Sequence, residues 1–271
     1  MPALRENIKK SLVEKLGVPL VEILEAAGRE AERLGFKAFL VGGLVRDLYL
    51  GKDNVDVDLV IEGDGIEFSR VFAQRYRAEL RFYERFGTAT LTFPAGFKID
   101  VATARVETYE HPAALPTVRP GRIEDDLYRR DFTVNAMAIA LSPLTFGAVM
   151  DPFGGRADIE EKKIRVLHDR SFVDDPTRIF RAIRFEGRLD FRMDESAERL
   201  VQDALASGML ERLEDYRIAT ELTLILQEEN PRPAIQRLEA VGALGLIRAH
   251  ARGSRIVRKV LNEVAKVADF H

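Results

Sequence analysis

The chain has 271 residues, of which 46% are hydrophobic and 31% charged, a balance typical of a globular protein of two or more domains. The sequence lacks a run of about 18 apolar residues, a signal-peptide pattern and any cysteine, so it predicts no membrane span, secretion or disulfide and favours the cytoplasm. Its formal net charge of −3 is the opposite of the basic surface typical of nucleic-acid-binding domains, so any such surface must be local.

Residues 1–35 are predicted to form a helical lead-in domain. Apolar residues recur there at three- and four-residue steps, and Gly17-Val18-Pro19 interrupts the pattern. This spacing predicts two helices with a structural role and no chemistry.

A glycine pair follows the first predicted strand. Residues 38–41 form an apolar run, and Gly42 and Gly43 end it before helical spacing resumes over 44–50. Adjacent glycines let the backbone turn sharply and let a large anion approach without meeting a Cβ. Since the N–H groups at the start of a helix are free, Gly43 is a candidate phosphate ligand, with Arg46 beside it on the first turn.

Two aspartates alternate along the next predicted strand, residues 55–61. Asp56 and Asp58 share one face because successive side chains of a strand point to opposite faces. Two carboxylates so close repel each other unless a cation lies between them, and Mg²⁺ is commonly held by one or two carboxylates plus phosphate oxygens. A solvent-facing acidic strand is the alternative. The preceding glycine pair favours a nucleotidyl transfer site with two Mg²⁺ ions.

Four motifs in this order resemble the class II CCA-adding enzymes, the bacterial poly(A) polymerases and the related A-adding or CC-adding enzymes. They are GG-x-VRD with the following D-x-D, RRDFTVNAMA, DPFGGRADIEEKKIRVL and DDPTRIFRAIRF, within roughly 38–208. The resemblance implies an α+β fold. A nucleotidyltransferase head with a small mixed sheet and helices (36–150) is followed by an all-helical neck for nucleotide selection (151–215) and the start of a helical body (216–271).

The resemblance also implies a third carboxylate and a mobile loop. A carboxylate on the predicted strand 98–102 completes a triad with the D-x-D pair, which identifies Asp100; a structural aspartate is the alternative. Residues 106–127 contain three prolines and lack periodicity, which predicts a long loop. In the family, a flexible loop in this region helps to switch between nucleotides.

The segment from Asp125 to Asn135 is predicted to open a helix, because acidic residues gather at its start. Arg130 is the candidate nucleotide contact, since an arginine fork suits phosphate or ribose oxygens. Asp131 and Asn135, four residues apart, would share a helix face and hold that arginine or the ribose. The alternative is a surface ion pair between neighbouring Arg and Asp residues.

The last motif places an acid before Pro176, which predicts a helix from that proline onward. Asp175 and Arg178 are three apart and can project side by side. One stripe of the helix consists of Arg178, Arg181, Arg184 and Arg188. A solvated ion-pair face is the alternative, but the resemblance assigns Asp175, Arg178, Arg181 and Arg184 to nucleotide binding. The family's usual Glu-Asp pair is Asp174–Asp175 here.

The predicted function is template-independent addition of AMP, or of CMP and AMP, to the 3′ end of tRNA from ATP and CTP. Polyadenylation of other RNA and a catalytically idle RNA-binding module are the alternatives, and an intact D-x-D pair argues against the second. Which nucleotides are added and the oligomeric state stay open. Family members continue through a further helical body and tail, so the chain is expected to be a short member or a fragment.

Overall fold

The computed structural model of the protein describes residues 7–53 and 56–268. By its internal contacts the chain divides into two compact units. The first consists of the residues up to Glu107 together with Val118–Ile159, and the second of Thr108–Thr117 together with Glu160–His271. The predicted boundaries at 35, 150 and 215 remain predictions, because contacts alone do not define a functional domain.

Helices and strands alternate in the first half of the chain, and helices dominate the second half. The strands are β1 (Lys37–Val41), β2 (Val57–Glu62), β3 (Glu79–Tyr83), β4 (Thr88–Thr92), β5 (Lys98–Thr103), β6 (Arg105–Thr108), β7 (Thr117–Pro120), β8 (Ala138–Ala140), β9 (Val149–Met150), β10 (Lys163–Ile164) and β11 (Arg192–Met193). The first seven helices are α1 (Lys9–Leu16), α2 (Val18–Arg33), α3 (Gly43–Leu50), α4 (Gly65–Tyr76), α5 (Ile123–Tyr128), α6 (Gly155–Glu160) and α7 (Ser171–Asp174). The others are α8 (Thr177–Leu189), α9 (Glu195–Ala206), α10 (Asp215–Leu226), α11 (Arg232–Ala240), α12 (Ala243–His250) and α13 (Arg255–Ala268).

A seven-stranded sheet forms the centre of the first unit, in the order β3-β4-β5-β2-β1-β8-β9. Strands β2 and β5 run parallel, whereas the other neighbouring strands with a described register run antiparallel. The sheet is therefore mixed and flanked by helices, which confirms the predicted α+β fold.

One face of the sheet is buried under α4. Along β2 and β5 the alternate residues Leu59, Ile99 and Val101 are buried, and Phe68 and Phe72 of α4 are fully buried with their rings stacked 5.2 Å apart. Burying each such side chain stabilises the fold by about 1.5–3 kcal/mol. The alternation sends Asp58 and Asp100 to the opposite face.

In the second unit, the fully buried rings of Phe172, Phe180 and Phe191 contribute to the core. The predicted all-helical neck also contains a short parallel pair, β10 and β11. The pair forms because the chain that follows α8 runs beside the earlier residues 162–164. There the Arg192 N–H donates to the Lys162 carbonyl at 2.9 Å. Among the described residues, no helix is long and apolar enough to cross a membrane.

Three local predictions differ from the structure. The helix predicted to open at 125 ends at Tyr128, because the Asp131 carboxylate accepts from the Phe132 N–H at 2.8 Å and turns the backbone. The loop predicted over 106–127 contains the two-stranded β6–β7 sheet and most of α5. Strand β2 begins at Val57, and the predicted strand residue Val55 lies outside the described residues.

Candidate active site

Two of the predicted carboxylates meet on the open face of the sheet. Asp58 and Asp100 are register partners on the parallel strands β2 and β5, and Thr90 of β4 donates its hydroxyl to Oδ1 of Asp100 at 2.5 Å. Asp56 is exposed and directly precedes β2. Asp58 and Asp100 line a cavity of about 320 Å³ together with Val41, Leu59, Val60, Tyr83, Thr88, Ala89, Thr90, Val101, Ala102, Arg129 and Arg130.

The position of Asp58 favours its neutral form. Burial raises the pKa of Asp58 to about 6; the charge of Arg130 opposes this rise, and the charges of Asp100 and Asp56 add to it. Because these carboxylates repel each other, a cation bound between them would be stabilised. Perturbed carboxyl groups in a cleft are typical of functional sites.

Gly42 lies close to Asp58 and Arg130, directly after the cavity residue Val41. Its backbone has φ 79° and ψ −147°, a conformation that only glycine adopts readily. A Cβ built on it would lie 3.1 Å from Oδ2 of Asp58 and 3.6 Å from Nη1 of Arg130. Gly43 begins α3 directly afterwards. Close approach to the site therefore depends on Gly42, whereas the sequence motif had singled out Gly43.

Arg130 carries a guanidinium group with donors to spare. It is half-buried, Nη2 donates to Oδ2 of Asp126 at 2.9 Å, and its buried Nε has no hydrogen-bond partner in the described part of the chain. A buried unsatisfied donor costs about 1–3 kcal/mol unless a ligand accepts from it. The predicted nucleotide contact therefore lies at the cavity with unfilled donor capacity.

Arg46 lies in a buried network instead of at the cavity surface. Its Nε and Nη2 donate to Asp47 at 2.8 and 3.0 Å, and Nη1 donates to Oδ1 of Asn135 at 2.7 Å. Asn135 in turn donates to Asp131 at 3.0 Å. The predicted pairing of Asp131 and Asn135 is present, but through Asn135 it holds Arg46, not Arg130. The network ties the first turn of α3 to the segment after Arg130.

The second unit contains the predicted pair Asp175 and Arg178 at the start of α8. Oδ1 of Asp175 accepts from the backbone and hydroxyl of Thr177 at 3.1 and 2.6 Å, and from Nη2 of Arg217 at 2.6 Å. Arg217 also donates to the Ala113 carbonyl at 3.2 Å. Arg178 is buried, and its Nη1 donates to the Ser171 hydroxyl at 3.2 Å.

The arginine stripe on α8 is buried at Arg178 and Arg184, whereas Arg188 at its end is exposed and pairs with Glu228. Arg184 is buried and pairs with Glu228 at 3.3 Å, and both Arg181 and Arg184 lie over the ring of Phe185, at 5.7 and 5.5 Å from its centroid. Burial lowers the pKa of Arg184, and the neighbouring arginine charges lower it further. Burial also raises the pKa of Glu221, whose Oε2 has no hydrogen-bond partner in the described part of the chain.

The donor set of the first unit fits a hard divalent cation. Within residues 7–53 and 56–268, no group of three or more His, Cys, Asp and Glu side chains is already arranged to hold a metal ion. Asp58 and Asp100 nevertheless supply two carboxylates on one face, which suffice when phosphate oxygens complete the coordination. A third protein ligand is therefore not required.

Sequence reasoning assigned no site role to Asp126 or Arg217, and within the glycine pair it chose Gly43 over Gly42. Gly42 was visible as half of the glycine pair, and only its backbone conformation separates it from Gly43. Asp126 precedes Arg130 by four residues, which is a helical ion-pair spacing. Arg217 gave no local signal, because its partner Asp175 lies far away in the sequence.

Residues 38–165 match the family described as Poly A polymerase head domain. The chain carries a head domain of this family. The match confirms the resemblance predicted from the four motifs, and it contains all the predicted site residues of the first unit.

Three similar proteins span more of the chain. The A-adding tRNA nucleotidyltransferase of Geobacter sulfurreducens is 43% identical over 98% of this chain and 30% of its own length. The CC-adding tRNA nucleotidyltransferase of Deinococcus radiodurans is 37% identical over 75% of this chain and 54% of its own length. A solved structure of a CCA-adding enzyme in an apo form superposes with a TM-score of 0.87 at 44% identity, covering 89% of this chain and 57% of the other. The chain thus spans about a third to three fifths of the length of these relatives.

Proposed function

We propose that the protein adds nucleotides to the 3′ end of tRNA without a nucleic-acid template, releasing pyrophosphate from ATP and, where CMP is also added, from CTP. The observation that carries this proposal is the Asp58–Asp100 pair on parallel strands, which lines one cavity with Arg130 and has Gly42 beside Asp58. A paired carboxylate site beside an anion-accessible glycine and an arginine is suited to transfer of a nucleotidyl group.

The relatives support tRNA as the acceptor. The A-adding and CC-adding relatives are both named as tRNA nucleotidyltransferases, although they differ in the nucleotide that they add. The identity is higher with the A-adding relative, which favours AMP as the last or only nucleotide added. The cysteine-free composition continues to favour the cytoplasm.

Asp56 and Asp58, assisted by Asp100, would hold Mg²⁺, with two ions proposed. When bound, Mg²⁺ would lower the pKa of the RNA 3′-hydroxyl and stabilise the charge that develops on the pyrophosphate. Thr90 fixes one oxygen of Asp100 by its 2.5 Å hydrogen bond, which keeps that carboxylate turned to the cavity. Nothing in this assignment requires a ligand from outside the first unit.

The chain itself would bind and orient the triphosphate. Gly42 leaves room for a phosphate beside the start of α3, where Gly43 and its successors present free N–H groups. Arg130 would donate to phosphate or ribose oxygens through Nη1, which lies 3.6 Å from the position of a Cβ on Gly42. Arg46 would act indirectly, because its guanidinium holds Asp47 and Asn135 in place.

In the second unit, Asp175 and Arg178 would select the base. All three hydrogen bonds that the Asp175 carboxylate accepts within the described residues end on Oδ1, which leaves Oδ2 for an amino group of A or C. An arginine beside it can only donate, as the ring nitrogen of A or C requires. Arg181 and Arg184 would support this site through their packing on Phe185 and, for Arg184, through the ion pair with Glu228.

Incorporation assays with each labelled NTP test the proposal, using tRNA that ends at the discriminator base, at -C or at -CC. AMP added once to the -CC substrate supports A addition, and CMP followed by AMP supports synthesis of the whole terminus. Long adenylate tails on unrelated RNA would instead support polyadenylation. Asp58→Asn is the inactive control. If the wild-type protein extends no substrate beyond the level of this control, the idle RNA-binding alternative is favoured.

A further inference from the structure

Asp126 is a buried carboxylate that binds two neighbouring arginines. It lies on α5 with no exposed surface, and Oδ1 accepts from Nε and Nη2 of Arg129 at 3.0 and 2.7 Å. Its other oxygen, Oδ2, accepts from Nη2 of Arg130 at 2.9 Å. A buried acid with both oxygens occupied by guanidinium groups fixes the directions in which those groups point.

Arg129 anchors Asp126 from the side away from Arg130. Its Nη1 donates to Oε1 of Glu107 at 3.1 Å, and Arg105 donates to the same oxygen at 2.8 and 3.1 Å. Glu107 is itself buried. Asp126 is therefore held by α5 and by Arg129 together, so its oxygen Oδ2 presents a fixed acceptor to Arg130.

Arg130 has a choice between two acids. Its Nη1 lies 3.6 Å from the position that a Cβ on Gly42 would occupy, and Oδ2 of Asp58 lies 3.1 Å from the same point. Even so, the ion pair that Arg130 makes within the described residues is with Asp126. A guanidinium released from Asp126 would be drawn to Asp58, where it would occupy the space needed by a cation and a phosphate.

We propose that Asp126 is a positioning residue for the nucleotidyl transfer proposed above. By holding Nη2 of Arg130, it keeps the guanidinium turned to the incoming triphosphate and prevents an ion pair between Arg130 and Asp58. Asp126 does not touch the nucleotide; although it also binds Arg129, its effect on the bound NTP passes through Arg130. The inference rests on the proposed function, because it assigns a role in binding the NTP.

The test is the steady-state kinetics of Asp126→Asn with ATP on tRNA ending in -CC, and with CTP if the protein proves to add CMP. Asparagine has nearly the same volume but turns an NH₂ group towards one of the two arginines. We expect the KM for the NTP to rise about tenfold or more, with a smaller change in kcat, because an interaction with bound NTP is lost. An Asp126→Asn enzyme that is folded and keeps the wild-type KM overturns the proposal.

Glu30→Gln is the matched control. Glu30 is also a buried acid of the first unit that binds two arginines, Arg33 at 2.6 and 2.8 Å and Arg75 at 2.7 Å. The Glu30→Gln substitution should lower the melting temperature of the protein and leave its KM for the NTP unchanged. Should Asp126→Asn fail to fold, Asp126→Glu replaces it, since it keeps the charge but displaces the carboxylate; an unchanged KM in that variant overturns the proposal equally.

A double-mutant cycle separates positioning from general support of the fold. In an Arg130→Gln background, Asp126→Asn should cause no further loss in kcat/KM, because the residue through which it acts is already gone. Additive losses would show that Asp126 has a structural role only. Failure of the wild-type protein to incorporate any nucleotide would instead contradict the proposed function, so the two failures are distinguishable.

Discussion

Asp58 and Asp100 are side by side on β2 and β5, the parallel pair of the central sheet, and Thr90 fixes Oδ1 of Asp100 from the next strand. The return through α4, β3 and β4 brings the two acids together, because a parallel pair requires a crossover between its strands. Burial and the neighbouring acids disfavour the ionised form of Asp58, and either a bound cation or a proton would relieve this repulsion.

Removing either carboxylate should abolish nucleotide incorporation. We expect Asp58→Ala and Asp100→Ala to lower kcat/KM about a thousandfold or more with every NTP, since a lost metal ligand removes several kcal/mol of transition-state stabilisation. Circular dichroism and thermal melting should show an intact fold. Asp203→Asn, at an exposed position of α9, is the control and should keep full activity. Near-normal turnover of Asp58→Ala with Mg²⁺ as sole metal would contradict the site.

The raised pKa of Asp58 makes a prediction about stability in the absence of divalent cations. The folded state binds this proton more tightly than the unfolded state, so the contribution of Asp58 to stability falls as the pH rises from about 4 to about 6 and stays low above that range. Asp58→Asn removes the penalty. With EDTA present, its free energy of unfolding should exceed that of the wild type by on the order of 1–3 kcal/mol at pH 8, with little difference at pH 4. Thermal melts at both pH values measure this difference in stability. A wild type more stable than the variant at pH 8 would show that the ionised form of Asp58 does not destabilise the fold.

The part of the candidate site on β1, α3 and β2 was predictable because its signals are local. Alternation along β2 places Asp58 opposite the buried Leu59, and the glycine pair ends β1 at the start of α3. Asp100 was found only through the resemblance, since a single acid on a strand is ambiguous. The register that sets it beside Asp58 belongs to the folded sheet.

Other parts of the sites could not be predicted because tertiary contacts decide them. Arg46 looked free on the first turn of α3, but Asn135, remote in the sequence, accepts from it in the interior. The helix expected to open at Asp125 is shorter, because the Asp131 carboxylate accepts from the backbone N–H of Phe132. Helix propensity and hydrophobic periodicity predict neither of these hydrogen bonds, since both are averages over residues that are neighbours in the sequence.

Gly42→Ala should inactivate the protein, while a matched glycine should tolerate the same change. A Cβ on Gly42 would lie 3.1 Å from Oδ2 of Asp58. The alanine would also have to keep φ 79° and ψ −147°, a conformation that costs a residue with a Cβ about 1–3 kcal/mol. Gly51, which ends α3 at φ 66°, meets nothing within 4 Å, so Gly51→Ala should lower stability by about 1 kcal/mol and leave kcat/KM unchanged. Equal activity of the two variants would show that close approach at Gly42 does not matter for catalysis.

The last prediction concerns the choice of base by Asp175. Adenine and cytosine each present an amino donor beside a ring-nitrogen acceptor, whereas uracil and guanine present a carbonyl acceptor beside an N–H donor. A carboxylate accepts only and a guanidinium donates only, so Asp175 with Arg178 matches A and C, and leaves groups unpaired against U and G. Sites of this kind can discriminate by about 10⁴-fold.

Asp175→Ala should therefore lower kcat/KM for ATP sharply and narrow its advantage over UTP and GTP, while the Mg²⁺ dependence stays unchanged. The variant also frees Arg217 from its 2.6 Å ion pair, so Asp175→Asn is measured beside it, because asparagine keeps an acceptor for Thr177. Asp174→Asn is the neighbouring control: Asp174 pairs with Arg170 at 2.8 Å and should not affect base choice. The measurement is kcat/KM for all four NTPs. If Asp175→Ala retains the full preference for ATP or CTP, Asp175 does not read the base, and selection must reside in other residues.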